Sequence, residues 1–490
     1  MPVTQPIFVN HLADSDVSGT RTAAGFDTLR FCTGGIGSGS GAKRAVEDFM
    51  EQTETIAVVG GGPAGLSAAW ELMRAGRAVV VYECRAVAGG RMRTDEVEGV
   101  RFDSGVQLLS SSYSKLRALA EAVGAQDLLR RSPGRDAVWR EGRAHPLVYG
   151  SVASMVTSTA LSIGLKLKLA ARYLPFLARD AAAIDVNRLV HTGGRFDHES
   201  IAQWGLREIG EDFIELMVYP MLGAYYGTLP EDSTAALYHG LAKVGLDVQV
   251  MGVAGGMSAL PRAIASELEH RGVQFRYDAA VEGIRLTPGG AELRVGGESI
   301  MHRAVVVATP PAAALRILDD EPLRQWLGRV RSAPTATLAL ILDRPLEVDF
   351  FGLSFLRRDY DVRAAVAACV QDRKLPNENR GSSVVMLPSP MIAAELVDAE
   401  PEHALDVLLP IAERVFPGIR NTIRRARLTA FPEGYSVFYP GYLQHVQTLE
   451  QLTLPRSLAL AGDYLVAPTV EGGVRSGILA AERLLRHIVA

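Results

Sequence analysis

The stretch Thr55–Arg93 limits what this chain can become more than any other. It opens with the apolar run Ile56-Ala57-Val58-Val59, turns on Gly60-Gly61-Gly62-Pro63-Ala64-Gly65, continues with helical periodicity to Ala75 and returns through Ala78–Tyr82 to Glu83. Strand, glycine turn, helix, second strand and terminal acid make a βαβ unit of the kind that carries dinucleotides. Gly60 permits the tight turn, Gly62 lets the backbone approach a pyrophosphate, and Gly65 lets the helix pack closely on the strand. The helix start at Pro63 and Ala64 supplies amide donors and the positive end of the helix dipole. Glu83 stands where a carboxylate accepts hydrogen bonds from the ribose of an adenosine.

Two further glycine segments follow, Ala88-Gly89-Gly90-Arg91 and Phe102-Asp103-Ser104-Gly105. Their glycines allow close approach to a phosphate or a ring, and Arg91 adds a cation for a diphosphate. With these segments the chain resembles the flavin-containing amine oxidase superfamily, which includes protoporphyrinogen oxidases, carotenoid desaturases and monoamine oxidases. The resemblance implies FAD as cofactor, with Gly89, Gly90, Arg91 and Gly105 lying against it. It extends to Gly255–Pro261, which matches a helix that returns the chain to the FAD domain, and to Val281, whose counterpart holds the adenine through its backbone. Near the other end, Leu458–Tyr464 resembles the late FAD motif, in which Gly462 and Asp463 meet the ribityl or diphosphate end of the cofactor. A helix beginning near Val470 would aim its amides at the pyrimidine end of the flavin, where negative charge gathers on reduction.

With 490 residues and 48% apolar content, the chain can bury a large core in two or more domains. A net charge of -4 and the lack of a long basic run give no case for nucleic-acid binding. Cys32, Cys84 and Cys369 are widely separated, so neither a metal site nor a disulfide framework is expected, and a reducing, cytoplasmic setting is the default. The expected fold class is α/β: a discontinuous Rossmann-like FAD-binding domain (residues 55–140, 255–310 and 455–490) with an α+β substrate domain (141–254 and 311–454). Residues 1–54 read as a flexible extension because of the glycine-serine tract at 33–41, and translation from Met50 is an alternative start. No secretory signal is expected.

The substrate half opens with a tight hairpin over Trp139–Leu147, similar to one that leads into the substrate domain of protoporphyrinogen oxidases. Residues 149–179 are apolar but interrupted by Lys166, Lys168 and Arg172, short of the ~20 uncharged residues of a membrane span. The spacing of Leu161, Leu165 and Leu169 fits an amphipathic helix, either packed on its own domain or lying at a membrane interface that admits a lipid-soluble substrate. Helical periodicity runs from Ile201 to Met217, after which Pro220, Gly223 and Gly227 predict a break into turns. Tyr219, Tyr225, Tyr226 and Tyr439 are candidates to line a pocket for a flat or polyene substrate.

The resemblance implies hydride removal from a C–H bond of an apolar, ring-rich or polyene substrate, with reoxidation by oxygen or a quinone. Amine oxidases of the superfamily usually carry a lysine in the segment matching Ser332–Pro345, and this chain has none there. That weakens the amine reading. A redox-neutral mutase or isomerase and a flavin-binding protein without turnover are the other readings. No catalytic acid or base is assigned; Arg91, Tyr226 and Tyr439 are the candidates near the reacting centre, and His445 reads as a surface or hydrogen-bonded core residue.

Overall fold

The computed structural model describes residues 54–133, 135–149, 151–246, 248–375 and 381–488. The 1–53 part of the expected extension, including Met50 and Cys32, lies outside them.

The described chain opens with β1 (Ile56–Val59), α1 (Pro63–Arg74) and β2 (Val79–Tyr82). A hairpin of Thr94–Val97 with Val100–Asp103 and the helix α2 (Ser114–Ala122) follow. Next come β3 (Arg135–Arg140) and β4 (Arg143–Pro146), then a helical stretch ending in α3 (Tyr219–Tyr226). The chain continues through α4 (Ala259–His270), β5 (Gln274–Arg276), a three-stranded meander over residues 281–302, and β6 (Ala304–Val307). It then forms β7 (Ser332–Leu342), β8 (Phe350–Ser354), β9 (Ala365–Val370), β10 (Ser382–Pro388) and β11 (Ile423–Ser436). The short strand β12 (Leu458–Leu460) and the long helix α5 (Val470–Ile488) close it.

Two sheets carry the architecture. The first has the order β5-β2-β1-β6-β12, and every pairing in it is parallel. All residues of β1, β2 and β6 are buried, as continuous Val/Ile/Ala runs require in a sheet covered on both faces. Helices α1 and α5 cross so closely that a Cβ on Gly477 would run into the Ala64 carbonyl. The second sheet has the order β11-β7-β10-β9-β8-β3-β4 and is antiparallel except where β8 meets β3. The expected segment boundary between residues 140 and 141 falls inside the β3–β4 hairpin, both strands of which belong to this second sheet.

The helix expected over 201–217 is divided. It spans Ile201–Glu208, stops where Gly210 takes a φ of 121°, and resumes at Glu211. The turns expected after it are absent: a wide turn at Ile214–Val218 leads directly into α3. Pro220 sits directly after this wide turn, inside a helical run that extends from Glu211 to Tyr226, so the widened turn absorbs the proline and the helix continues past it. The helix ends at Gly227, in the left-handed conformation glycine adopts freely.

Candidate functional site

At the carboxyl end of the first sheet, the loop from β1 into α1 meets loops from three distant parts of the chain. Gly60 donates to the Tyr82 carbonyl at 2.8 Å, and a Cβ on it would stand 2.7 Å from the Ala308 carbonyl oxygen, so only glycine fits between the ends of β1 and β6. Gly62 and Gly90 face each other, with a Cβ on Gly90 reaching within 3.3 Å of the Gly62 Cα. A Cβ on Gly473 would come no closer than 3.9 Å to the amide nitrogen of Ala64. These three glycines leave a backbone-walled space at the start of α1. Beside it, the Thr309 hydroxyl is buried without a hydrogen-bond partner.

The Glu83 carboxylate is buried, accepting from the Gly61 amide at 2.7 Å and the Arg85 amide at 3.0 Å. It braces the glycine turn as well as ending β2. Gly89 donates to the Gly61 carbonyl at 2.9 Å, which draws the second glycine segment to the first. Val281 is half-buried at the start of the meander, close in sequence to Ala279, whose amide donates to the Glu83 carbonyl at 3.0 Å.

Residues 91 and 463 meet across the fold. Arg91 donates to the Asp463 carboxylate at 2.9 Å and to the Gly434 carbonyl at 2.9 Å, and the Ser436 hydroxyl donates to the same Asp463 oxygen at 3.0 Å. Gly462 donates to the Ser476 hydroxyl at 2.8 Å, holding the β12 loop on α5. Gly105 packs against the Arg91 backbone so tightly that a side chain would collide with its carbonyl. Glu471, one residue into α5, is fully buried and accepts from the Lys115 and Leu116 amides at 3.0 Å each, capping α2.

Next to the start of α5 lies an apolar cavity of about 240 Å³, whose walls include Leu109, Leu169, Met217, Met221, Leu241 and Thr469. Tyr225 and Tyr226 line it, as do Tyr113, Tyr149 and Tyr238. Burial pushes the Tyr225 and Tyr226 hydroxyls well above the usual phenol range. Tyr226 faces Tyr113 and Tyr435, and the Tyr435 ring blocks any side chain at Gly227. The cavity reaches the surface where the exposed Val152 and Val156 join its lining.

Two of the expected pocket tyrosines lie elsewhere. Tyr219 is fully buried under the Arg357 guanidinium, 5.3 Å from its ring centroid, and does not line the cavity. Tyr439 donates to the Arg329 carbonyl at 3.0 Å and carries Arg331 over its ring. Residues 219 and 225 are six apart, which on a helix turns the side chains to different faces. His445 is a core residue, stacked on Trp326 at 4.8 Å and hydrogen-bonded to its carbonyl at 3.1 Å.

One cavity residue gave no signal in the sequence. Asp136, on β3, is only 8% exposed and lines the cavity. Burial pushes its carboxyl up to about 7. Its strand partner is Gly352 on β8, where a Cβ would stand 2.6 Å from the Asp136 carboxylate, so a glycine distant in sequence makes room for the acid.

A family model described as flavin containing amine oxidoreductase matches residues 63–485. A Mycobacterium tuberculosis protein, AofH, provisionally named a flavin-containing monoamine oxidase, is 30% identical over 287 residues, covering 55% of this chain and 60% of its own length. The zeta-carotene-forming phytoene desaturase of Myxococcus xanthus is 26% identical over 438 residues, covering 79% of this chain and 82% of its own. The solved structure of cyclohexylamine oxidase from Brevibacterium oxydans superposes with a TM-score of 0.69 at 16% identity, covering 89% of this chain and all (100%) of the other, a likeness of fold.

Proposed function

This chain belongs to the family of flavin containing amine oxidoreductases and is an FAD-dependent enzyme, and from that premise we propose that it removes hydride from an apolar, ring-rich or polyene substrate. When bound, FAD supplies the hydride acceptor. The residues present fit that cofactor: the space bounded by Gly62, Gly90 and Gly473 at the start of α1 would admit a diphosphate, and the orphaned Thr309 hydroxyl beside it would gain a partner. In this reading Pro63, Ala64 and Gly65 present the α1 amides, Glu83 and Val281 flank the adenosine, and Gly89 belongs to the same wall as Gly90. The Arg91–Asp463 pair, with Gly105 and Gly462, would hold the middle of the cofactor, and the start of α5 at Val470 its ring end.

The observation that carries the substrate reading is the cavity. Its walls are mostly leucine, methionine, valine and tyrosine, and they include Thr469, beside the first residue of α5. Such walls exclude water and position a donor carbon by shape, which is most of what hydride transfer asks of a protein. The similarity to a phytoene desaturase, over 79% of this chain and 82% of that protein, supports the same class.

No helix of the described residues is long and apolar enough to cross a membrane. Val156 on the cavity wall is nonetheless 63% exposed, and Ile163 and Leu167, which flank the lining residue Lys166 in sequence, are 77% and 64% exposed. That rim supports a peripheral membrane contact through which an apolar substrate enters. Oxygen or a quinone is the proposed electron acceptor.

Anaerobic titration of the purified holoenzyme with protoporphyrinogen IX, phytoene in micelles and benzylamine tests the reading. Loss of oxidised-flavin absorbance with either apolar compound is expected. Loss with benzylamine alone would replace this reading with amine oxidation.

A further inference from the structure

Asp136 is an acid without a partner. Its carboxyl forms no hydrogen bond or ion pair among the described residues, although the residue is more than nine-tenths buried and lines the cavity. An uncompensated acid in an apolar wall is costly, yet the fold keeps a place for it, since only a glycine at position 352 on β8 leaves the carboxylate its room. Around the carboxyl stand Tyr149 from the segment after β4, Tyr225 from α3 and Cys369 from β9, with Tyr238 behind Tyr149. Burial raises the tyrosine hydroxyls well above the phenol range and the Cys369 thiol to about 12, so all four are neutral at physiological pH. Lys166, on the cavity wall, donates to the Val156 carbonyl at 2.7 Å, and Lys374, near Cys369, is paired with Asp103. Asp136 alone among these groups changes charge near neutrality.

Hydride removal leaves a second bond to break. When a hydride departs from one carbon, a double bond forms only if the neighbouring atom gives up a proton, and aliphatic walls have nothing to receive it. Asp136 lines the same cavity as Thr469, beside the start of α5, so a substrate lying along the cavity presents its C–H bonds to the carboxylate. A carboxylate stripped of water is a stronger base than one in solution, and a base that titrates near the working pH is the most effective.

We propose that Asp136 is the general base of this cavity, its carboxylate taking the proton that the substrate loses when hydride leaves the neighbouring atom. The assignment rests on the reading of this cavity as the substrate cavity and supplies the group that completes its reaction. The hydride carries two electrons to the flavin, the electron pair of the second broken bond becomes the new π bond, and the proton converts the carboxylate to a carboxylic acid. The acid then returns the proton to water at the mouth. The base works only when ionised, so the rate rises about tenfold per pH unit below neutrality and levels off above it.

The first test uses 5-nitrobenzisoxazole on the oxidised holoenzyme between pH 5.5 and 8.5. Removal of its ring C–H proton breaks the N–O bond and releases a coloured phenolate, with no electron passing to the flavin. Ring opening above the buffer reaction is expected, with the pH profile just given. Asp136→Asn lowers it about a hundredfold or more, within the usual span of general-base catalysis, and Gly352→Ala, which displaces the carboxyl, lowers it severalfold. The second test is anaerobic flavin bleaching by phytoene or protoporphyrinogen IX, where Asp136→Asn lowers the limiting rate by a similar factor and leaves the half-saturating concentration within about twofold. Flavin content and melting temperature verify that each variant is folded. Ring opening that Asp136→Asn retains, or bleaching that is equally fast in the variant, overturns the base and leaves the proposed function standing. Flavin that neither apolar compound bleaches overturns both.

Discussion

Replacing Asp136 by Asn isolates the cost of a lone carboxyl in an apolar wall. Burial holds the folded-state acid at about 7, against 3.8 for the ordinary group. Below pH 3.8 it is protonated in folded and unfolded chains alike, and the shift costs nothing. Between 3.8 and about 7 the unfolded chain has released its proton while the folded chain retains it, so stability falls as pH rises, by about 1.36 kcal/mol per unit. The difference of 7 − 3.8 units amounts to roughly 4 kcal/mol, lost in full above pH 7. Asparagine does not titrate, and its amide costs about 1–2 kcal/mol to bury. The variant is therefore about equal to the parent at pH 5 and more stable by about 2–3 kcal/mol at pH 8. At ~2.1 cal/mol/K of unfolding entropy per residue, a chain of this size melts about 1 °C higher per kcal/mol, so the gap at pH 8 is about 2–3 °C. Melting curves of both holoenzymes, followed by near-UV circular dichroism at pH 5, 6, 7 and 8, measure it. A gap that is the same at pH 5 and pH 8, or that favours the parent at pH 8, refutes the electrostatic argument.

Gly65→Ala drives a methyl group into the Gly60 carbonyl and should yield protein with at least tenfold lower flavin occupancy, read from the ratio of flavin to protein absorbance. Asp463→Asn strips the negative charge from the 2.9 Å partner of the Arg91 guanidinium and should weaken FAD binding by about 1–3 kcal/mol, measured by reconstitution of the apoprotein; an unchanged dissociation constant would separate this pair from the cofactor. Tyr226→Ala should raise KM at least fivefold for whichever substrate bleaches the flavin. Tyr439→Ala, outside the cavity, should leave KM within twofold, and the reverse ranking would return Tyr439 to the site.

The parallel sheet was legible because β1, β2 and β6 are unbroken apolar runs and β1 runs straight into a glycine turn, and both signals are local. The meeting of Arg91 with Asp463 was legible only as two separate cofactor motifs, since nothing in either segment states the distance between them. Asp136 was invisible: it precedes Ala137-Val138-Trp139 in an ordinary strand, and its meaning depends on Gly352 across the sheet. Tyr219 and Tyr439 misled because aromatic residues cluster in cores as readily as in pockets, and spacing does not reveal which face turns inward. Pro220 misled in the opposite direction. A proline read as a stop sits inside a helical run, directly after a widened turn.

The first sheet draws its strands from residues 56–82, 274–307 and 458–460, and the helix that packs on it ends the described chain. A ribosome therefore releases the edge strand and α5 only after the other described elements have emerged. Until then Arg91 has no Asp463, α2 lacks its Glu471 cap, and Gly473 is missing from the wall facing α1. On the proposed cofactor reading, a growing polypeptide cannot complete its dinucleotide cradle before residues 463–473 have emerged, and deleting residues 458–488 would take away the Asp463, Glu471 and Gly473 contacts together.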